Sequence, residues 1–308
     1  MDKKAKIFVA GHNGMVGSAI CRELRKNGYN NLILKDSKEL DLRNQQMVND
    51  FFKKFQPEYV FLAAAKVGGI MANSTYKADF IYDNLMIQNN IIYSSFKFGV
   101  NKLLFLGSSC IYPKMSSQPI KEEYLLSGYL ESSNEPYAIA KIAGLKLCQY
   151  YREQYQSNFI SLMPTNLYGF HDNFDLNNSH VLPALIRKFH EAKINNYNHV
   201  ELWGTGSPLR EFLFVDDLAE ACLFLMKNYN ESIPLNIGTG KDLSILDLAE
   251  TIKDIIGFNG TIKWDSSKPD GTHRKLLDVS KVNSLGWQAK TTLRVGINKT
   301  YEWYQKNN

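Results

Sequence analysis

Short apolar runs alternate with longer segments of mixed polarity through the first half of the chain. Runs rich in Val, Ile, Leu and Phe are typical of strands buried on both faces. We predict five such strands, at 6–10, 32–35, 59–65, 103–107 and 159–163. The segments between them are long enough for crossover helices, at 15–27, 45–55, 79–98 and 135–155. This alternation predicts an α/β fold built on a doubly wound, parallel, Rossmann-type sheet, with ligands beyond the carboxyl ends of its strands.

The second half of the chain is more irregular. Gly, Pro and Asn interrupt it at 165–178 and again at 264–275. We therefore expect a first domain over 1–169 and a smaller C-terminal, substrate-binding lobe formed mainly by 170–308. Apolar segments within 212–240 are expected to return to the sheet of the first domain.

Length and composition are those of an ordinary globular protein. The 308 residues are 44% hydrophobic and 22% charged, with a formal net charge of +5. A dense Lys/Arg stripe, an apolar run of about 18 residues and a signal-peptide core are all missing, which favours a cytoplasmic protein that binds neither nucleic acid nor membrane. The cysteines have no CxxC spacing, so we predict reduced thiols and no metal site. They are Cys21, Cys110, Cys148 and Cys222.

A glycine-rich turn follows the first predicted strand and opens the first predicted helix. Gly11, Gly14 and Gly17 permit a tight turn, a close approach to a diphosphate and close packing of helix on strand. The helix N-terminus supplies N–H groups and the positive end of its dipole. The turn therefore predicts a dinucleotide site.

Tyr137 and Lys141 are four residues apart and share one face of a predicted helix that Asn134 is expected to cap. An ammonium beside a phenol is expected to lower the phenol's pKa, making it a proton donor near neutrality. Ser108 ends a predicted strand, where its hydroxyl can bind a substrate carbonyl. Together the three side chains predict hydride chemistry at a ketone or alcohol.

The same Tyr-x-x-x-Lys spacing occurs at Tyr93 and Lys97. There no turn or cap presents it to a cleft, so we interpret Tyr93 as a core or interface residue. The order of glycine turn, serine-terminated strand and capped helix favours Tyr137 as the functional copy.

Beyond these groups, longer strings at 63–70, 106–113, 134–144, 163–169 and 210–217 carry a resemblance to a known family. The chain resembles the extended short-chain dehydrogenase/reductases that act on nucleotide sugars, and more narrowly the GDP-L-fucose synthases. This resemblance covers nearly the whole chain. It implies an epimerase and reductase of a GDP-linked 4-keto-6-deoxy sugar, with NADP(H) as cofactor and a homodimeric assembly.

The resemblance also implies which residues form the site. Catalysis is assigned to Ser108, Cys110, Tyr137, Lys141 and His180. Cofactor contacts are assigned to Gly11, His12, Asn13, Gly14, Met15, Val16, Gly17, Leu106, Gly107, Ser108, Ser109, Lys141, Pro164, Thr165, Asn166, Leu167 and His180. The GDP sugar is assigned to Lys188, Trp203, Arg210 and Asp270.

Cys110 lies two residues beyond Ser108, so both are expected on one side of an extended strand end. In the family, the matching cysteine and histidine act as base and acid at C3 and C5. Both carbons flank the C4 ketone, whose carbonyl stabilises the enolate left by proton loss.

Two questions stay open. Asn13, Asp36 and Ser37 leave NAD possible beside the favoured NADP, since an acidic residue after the second strand repels a 2′-phosphate. The motifs also fit a C4-reductase of another GDP-4-keto sugar, such as a heptose, with or without epimerisation. A non-catalytic scaffold is disfavoured because Ser108 and its partners are all present.

The predicted helices at 79–98 and 135–155 carry more apolar residues than one sheet face needs. We therefore expect them to form a four-helix interface between two copies of the chain. The residues in question are Ile87, Ile91, Ile92, Leu145 and Leu147.

Overall fold

A computed structural model describes residues 1–176, 178–268 and 270–307. Its main element is a six-stranded parallel sheet with the order β2-β1-β3-β4-β5-β9. The strands are β1 Ile7–Ala10, β2 Leu32–Ile33, β3 Tyr59–Leu62, β4 Lys102–Leu106, β5 Phe159–Pro164, β6 Asn166–Tyr168, β7 His199–Trp203, β8 Leu209–Phe214, β9 Leu235–Ile237, β10 Asp242–Ser244, β11 Thr261–Asp265 and β12 Arg274–Lys275. The predicted α/β fold with a parallel Rossmann-type sheet is confirmed.

The helices are α1 Met15–Lys26, α2 Gln45–Phe55, α3 Ile70–Thr75, α4 Lys77–Lys97, α5 Glu135–Tyr155, α6 Val181–Ile194, α7 Val215–Asn228, α8 Ile245–Ile256, α9 Ser280–Ser284 and α10 Leu293–Asn307. The predicted crossover helices begin and end within two residues of α1, α2, α4 and α5. The start of α2 is determined locally: the side chain of Asn44 caps the helix by accepting a hydrogen bond from the Met47 amide. Within the described ranges, no helix has the length and apolar character needed to cross a membrane.

The helices cover the central sheet in two groups. One consists of α1 and α7, which pack against each other, and the other of α2, α4 and α5. The strands between them are almost wholly buried, as expected of a parallel sheet covered on both faces. This is the doubly wound arrangement.

A second sheet lies at the carboxyl side of the first. Strand β8 pairs with β6, β10 and β12, while β7 and β11 form a separate parallel pair. In the register of β12 on β8, Lys275 stands opposite Arg210. A separate apolar cluster, which includes Ile186, Phe189 and Leu248, supports this part of the chain.

The boundary between the two predicted domains stays a prediction. Strand β9, from the second half of the chain, pairs with β5 in the central sheet. Strand β6, which directly follows β5, pairs instead with β8 in the second sheet. The chain thus crosses between the sheets near 165 and again before 235, and the candidate site lies where these crossings meet.

Candidate active site

At two of its three glycines, Gly11 and Gly17, the glycine turn leaves no room for a side chain. Gly11 has φ +84°, and a Cβ there would lie 2.8 Å from the backbone of Ala64. A Cβ on Gly17 would lie 2.0 Å from the carbonyl oxygen of Gly11. Gly14 begins α1 without a side-chain cap, so the first amides of the helix point out of the turn. In this turn the buried Nδ1 of His12 has no partner among the described residues. These features fit a dinucleotide diphosphate.

The acidic residue after β2 is engaged by its own backbone. One carboxylate oxygen of Asp36 accepts hydrogen bonds from the amides of Lys38 at 2.8 Å and Glu39 at 3.0 Å. These bonds are the main cause that lowers the pKa of Asp36. Lys35 pairs with the Glu39 carboxylate. Asp36 thus shapes a turn, and the positive charge of Lys35 is already compensated.

Ser108 follows directly on β4 and keeps an extended backbone. The next three residues, Ser109–Ile111, form a 3-10 turn, in which Ser108 Oγ accepts a hydrogen bond from the Cys110 amide at 3.2 Å. The extended geometry predicted for Cys110 is therefore wrong. The turn nevertheless brings the Cys110 thiol to the same end of the sheet as Ser108, because the chain reverses there instead of continuing the strand.

Lys141 is buried on α5 and donates a hydrogen bond to the Leu106 carbonyl at 2.8 Å. Burial lowers the pKa of Lys141 to about 7. Burial also raises the pKa of Tyr137, with the nearby Cys110 charge acting in the same direction and Ser108 opposing it by hydrogen bonding. The predicted lowering of the Tyr137 pKa is therefore wrong, since desolvation outweighs an ammonium 5.8 Å from the ring centroid. The phenol stays protonated at neutral pH.

Cys110 has two polar neighbours that sequence reasoning missed. Asn134 donates a hydrogen bond from Nδ2 to Sγ at 3.3 Å, and Lys275 Nζ lies 3.7 Å from the same sulfur. Asn134 precedes α5, but its side chain makes no capping bond, so the predicted cap is wrong. The amide turns to the thiol instead. Nothing in the sequence near 275 signals this contact.

His180 precedes the first residue of α6. The loop before it is tied to the first half of the chain, since the Gly69 amide donates to the Asn178 carbonyl at 2.9 Å. His180 keeps an exposed surface, but the protein atoms packed around its ring desolvate it and lower its pKa, and the charge of Lys275 lowers the pKa further. Lys275 therefore lies close to both His180 and Cys110.

A small cavity opens beside the Cys110 thiol. Its lining residues come from the 3-10 turn, the loop before α5 and the segment around β12: Ser109, Cys110, Tyr112, Pro113, Lys114, Gln118, Ile120, Glu131, Thr272, Arg274 and Lys275. Most of its charges are paired, Lys114 with Glu131 at 2.9 Å and Arg274 with Asp242 at 2.6 Å.

The residues assigned to the nucleotide sugar form a second group. Lys188 donates to the Glu201 carbonyl at 2.9 Å and lies 5.9 Å from the ring of Trp203. Lys268 lies 5.7 Å from the same ring, which is 53% exposed. An exposed indole flanked by two ammonium groups offers a surface for an aromatic or anionic ligand.

Asp270 already binds protein groups with both carboxylate oxygens. They accept from the amide and the hydroxyl of Thr205 at 2.7 and 2.8 Å. Arg210 is half-buried, and desolvation lowers its pKa, while the charges of Asp270 and Cys110 oppose that effect. Arg210 thus connects the sugar-binding group to the thiol.

Glu211 is a further residue that sequence reasoning missed. Its carboxylate is fully buried and accepts hydrogen bonds from the amides of Thr239 at 2.6 Å, Gly240 at 2.8 Å and Leu277 at 3.0 Å. Burial raises its pKa. The side chain therefore fixes β8, the turn after β9 and the segment after β12 to one another. In the sequence, the signal that could have found Glu211 is that it directly follows Arg210, a residue predicted to bind the GDP sugar.

The remaining predicted cofactor residues follow β5. Pro164 ends that strand, and Asn166 and Leu167 begin β6. Asn166 and Thr165 both donate to the Glu211 carbonyl, at 2.8 and 3.3 Å. In the described part of the chain, no group of three or more His, Cys, Asp or Glu side chains is arranged to hold a metal ion.

Comparisons with known proteins agree with this arrangement. A sequence profile of the NAD dependent epimerase/dehydratase family matches residues 7–238. The chain is 60% identical over 306 residues to GDP-L-fucose synthase 1 of Arabidopsis thaliana, covering 99% of this chain and 95% of that protein. It is 53% identical over 313 aligned positions to the GDP-L-fucose synthase of Escherichia coli, covering 99% and 98%.

A solved structure is similar over the whole length of the chain. The GDP-mannoheptose C4 reductase of Campylobacter jejuni with NADP bound is 46% identical, with a TM-score of 0.93 and 99% of each chain covered. The chain therefore belongs to the NAD dependent epimerase/dehydratase family and, within it, to the GDP-L-fucose synthases.

Proposed function

We propose that this protein is a bifunctional, NADP-dependent 3,5-epimerase and 4-reductase that converts a GDP-4-keto-6-deoxy-mannose-type sugar into GDP-L-fucose. One observation carries the proposal. Tyr137 interacts with both Ser108 and Cys110 beyond the end of β4, so two sets of proton-transfer groups lie together there. Ser108 and Tyr137 suit reduction of a ketone. Cys110 and His180 suit proton exchange at the carbons beside that ketone.

For reduction, Ser108 binds and orients the C4 carbonyl. Tyr137 donates its proton to the oxygen as negative charge develops, which a phenol with a raised pKa retains at neutral pH. Lys141 supports the cofactor ribose and the phenol from its buried position. The reduced nicotinamide, when bound, supplies the hydride.

For epimerisation, the Cys110 thiolate removes a proton from C3 or C5, and the C–H electrons move towards the C4 oxygen to form an enolate. His180 returns a proton to the opposite face of the same carbon. The net proton count is unchanged, and the carbon is inverted. Both groups lie near Lys275, which supports their acting on one substrate.

We infer NADPH as the reductant. The cradle around Gly11 and Gly17 suits a dinucleotide diphosphate. Two backbone amides occupy one carboxylate oxygen of Asp36, which leaves it with less capacity to accept a bond from a ribose 2′-hydroxyl, the contact by which an acidic residue favours NAD. The NADP bound to the similar heptose reductase supports the same preference. Titration of the protein with NADPH and NADH checks it, and equal affinities would contradict it.

A second candidate is a C4-reductase of another GDP-4-keto sugar. It is favoured by the 46% identity to the GDP-mannoheptose C4 reductase. The two candidates differ at the pocket for the C6 substituent and in the need for Cys110 and His180. Reaction of the protein with a panel of GDP-4-keto sugars, followed by NMR of the products, distinguishes them.

Isotope exchange tests the epimerase half directly. With the 4-keto substrate in D2O and no reduced cofactor, the wild-type protein is expected to place deuterium at C3 and C5. Cys110→Ser is expected to suppress this exchange, whereas Tyr137→Phe retains it because exchange requires no hydride transfer. Reduction by wild type without solvent deuterium at either carbon would leave a simple C4-reductase.

We also propose that the protein is cytoplasmic, in line with its four cysteines, which are free thiols.

Two copies of the chain are proposed to pair through α4 and α5. Ile91, Ile92 and Leu145, which the sequence suggested for the interface, are buried in the core of the single chain. The surface instead presents five other large apolar side chains on these helices: Tyr82 at 63% exposed, Tyr93 at 38%, Ile139 at 42%, Tyr150 at 56% and Tyr155 at 50%. Such a face supports pairing with a second copy.

A further inference from the structure

Lys275 places a cation beside the Cys110 thiol, and it comes from the far end of the chain. Its Nζ lies 3.7 Å from Sγ across a separation of 165 residues. Strand β12 positions Lys275 by pairing with β8, so the lysine is fixed by a sheet rather than by a free loop. Its side chain is only half-buried, so its charge remains available at the cavity beside the thiol.

The other charged groups around Cys110 are largely compensated. Lys114 and Glu131 bind each other, and the neighbouring Arg274 binds Asp242. Arg210 faces Cys110 from β8, but Asp270 lies close enough to balance it.

Three further polar groups lie around the thiol. From the α5 side it meets the neutral amide of Asn134 and the phenol of Tyr137, and His180 is near Lys275 on the α6 side. Within the described residues, Lys275 has no carboxylate partner in an ion pair, and its recorded polar contact is with the sulfur.

We propose that Lys275 is a positioning residue for proton transfer: its ammonium holds Cys110 as the thiolate that removes protons from the sugar. This inference rests on the proposed epimerase function and deepens it. An opposite charge at this distance favours the ionised form of its neighbour strongly, because the pair is partly shielded from water. Asn134 assists by donating a hydrogen bond to the same sulfur.

The charge balance of the step explains why a cation is needed there. When the thiolate takes a proton from C3 or C5, the sulfur becomes neutral and negative charge moves to the C4 oxygen. Lys275 takes no part in the proton transfer itself. It stabilises the starting base, while His180 supplies the proton on the opposite face.

Alkylation of Cys110 by iodoacetamide tests the proposal without any sugar. The thiolate attacks the CH2 carbon, a C–S bond forms and iodide leaves, so the rate at a given pH follows the thiolate population. We expect Lys275→Met to slow alkylation of Cys110 at pH 7 by about tenfold or more and to shift its pH profile to higher pH. Lys275→Arg is expected to restore the rate to within about threefold, because it restores the charge.

Mass spectrometry that resolves each cysteine distinguishes an effect of the Lys275 charge on Cys110 from an effect of unfolding. Cys21, Cys148 and Cys222 are buried, so their alkylation reports any opening of the fold. Lys114→Met is the matched control, since Lys114 lines the same cavity but is paired with Glu131. We expect it to leave Cys110 within about twofold of wild type. Equal rates and equal pH profiles for Lys275→Met and wild type, with the fold intact, overturn the proposal.

The isotope exchange experiment then shows which idea has failed, if either has. If Lys275→Met slows both the exchange and the alkylation, the result supports Cys110 as the base and Lys275 as the cation that ionises it. If Lys275→Met slows alkylation and Lys275→Arg restores it as expected, but the wild-type protein shows no deuterium exchange, the epimerase function is refuted while the electrostatic assignment stands. Exchange that is lost in Cys110→Ser but unchanged in Lys275→Met would refute the role of Lys275 alone.

Discussion

Two glycines of the first turn are expected to separate stability from cofactor binding. A Cβ at Gly17 would lie 2.0 Å from the Gly11 carbonyl oxygen and 2.8 Å from the His12 Cα, both backbone atoms that cannot rotate away. Relief requires the turn to move by roughly 1 Å against β1. Overpacking of this kind costs about 3 kcal/mol, the upper end of its usual range, because no flexible side chain absorbs it.

Gly14→Ala is the matched comparison. A Cβ at Gly14 meets its nearest neighbour, the Gly11 carbonyl oxygen, at an ordinary 3.5 Å, and its φ of −76° suits alanine. We expect the free energy of unfolding of this variant to stay within about 1 kcal/mol of wild type. Its NADPH affinity is expected to fall at least tenfold, because the added methyl stands where the backbone approaches the diphosphate.

Thermal unfolding and fluorescence titration with NADPH measure the two effects. Gly17→Ala is expected to lower the melting temperature by roughly 6 °C or more, and Gly14→Ala by far less. If Gly17→Ala has the melting temperature and the NADPH affinity of wild type, the backbone around Gly17 adjusts to the added Cβ at little cost and the packing argument fails. If Gly14→Ala binds NADPH normally, the diphosphate does not lie against this turn.

Further predictions concern other parts of the molecule. Tyr137→Phe is expected to lower kcat by about 10²–10⁴ while leaving the NADPH Kd nearly unchanged, as measured by steady-state kinetics and titration, because the phenol acts only on the developing alkoxide. Lys141 has a pKa of about 7 in the free protein, and its charged form favours an anionic cofactor, so NADPH affinity should fall as pH rises above about 7 and become nearly flat in Lys141→Met. Glu211→Ala leaves three amides, one buried and two partly buried, without their acceptor and is expected to cost about 3 kcal/mol in urea unfolding, whereas Glu211→Gln should recover part of that loss. Tyr150→Asp places a charge on the exposed face of α5 and should yield monomers by mass measurement in solution; a monomeric wild-type protein would contradict the interface itself.

Much of the central sheet follows from periodicity alone. Strands buried on both faces read as uninterrupted apolar runs, and the helix at 45–55 was predicted with the bounds of α2. Ser108 and the glycine turn were recognised because their function depends on a local junction of strand and helix. These signals lie within a few residues of one another.

Properties that depend on distant contacts were not predictable in this way. The pKa of Tyr137 depends on how deeply the folded protein buries it, which its lysine neighbour in sequence does not reveal. Asn134 has the sequence position of a helix cap, but its amide is used by the thiol of Cys110. The short strand β12 is too brief to show a period, and it pairs with β8 only after the chain has crossed between two sheets.

The late position of β12 has a consequence for synthesis of the protein. The glycine turn, Ser108, Tyr137 and Lys141 all lie in the first half of the chain, but the cation beside Cys110 follows it by 165 residues. On the proposed role of Lys275, the cysteine of a chain still emerging from the ribosome therefore lacks the charge that activates it. The thiol then gains its full nucleophilicity when the C-terminal segment docks, so an incomplete chain is less open to oxidants and electrophiles than the finished site.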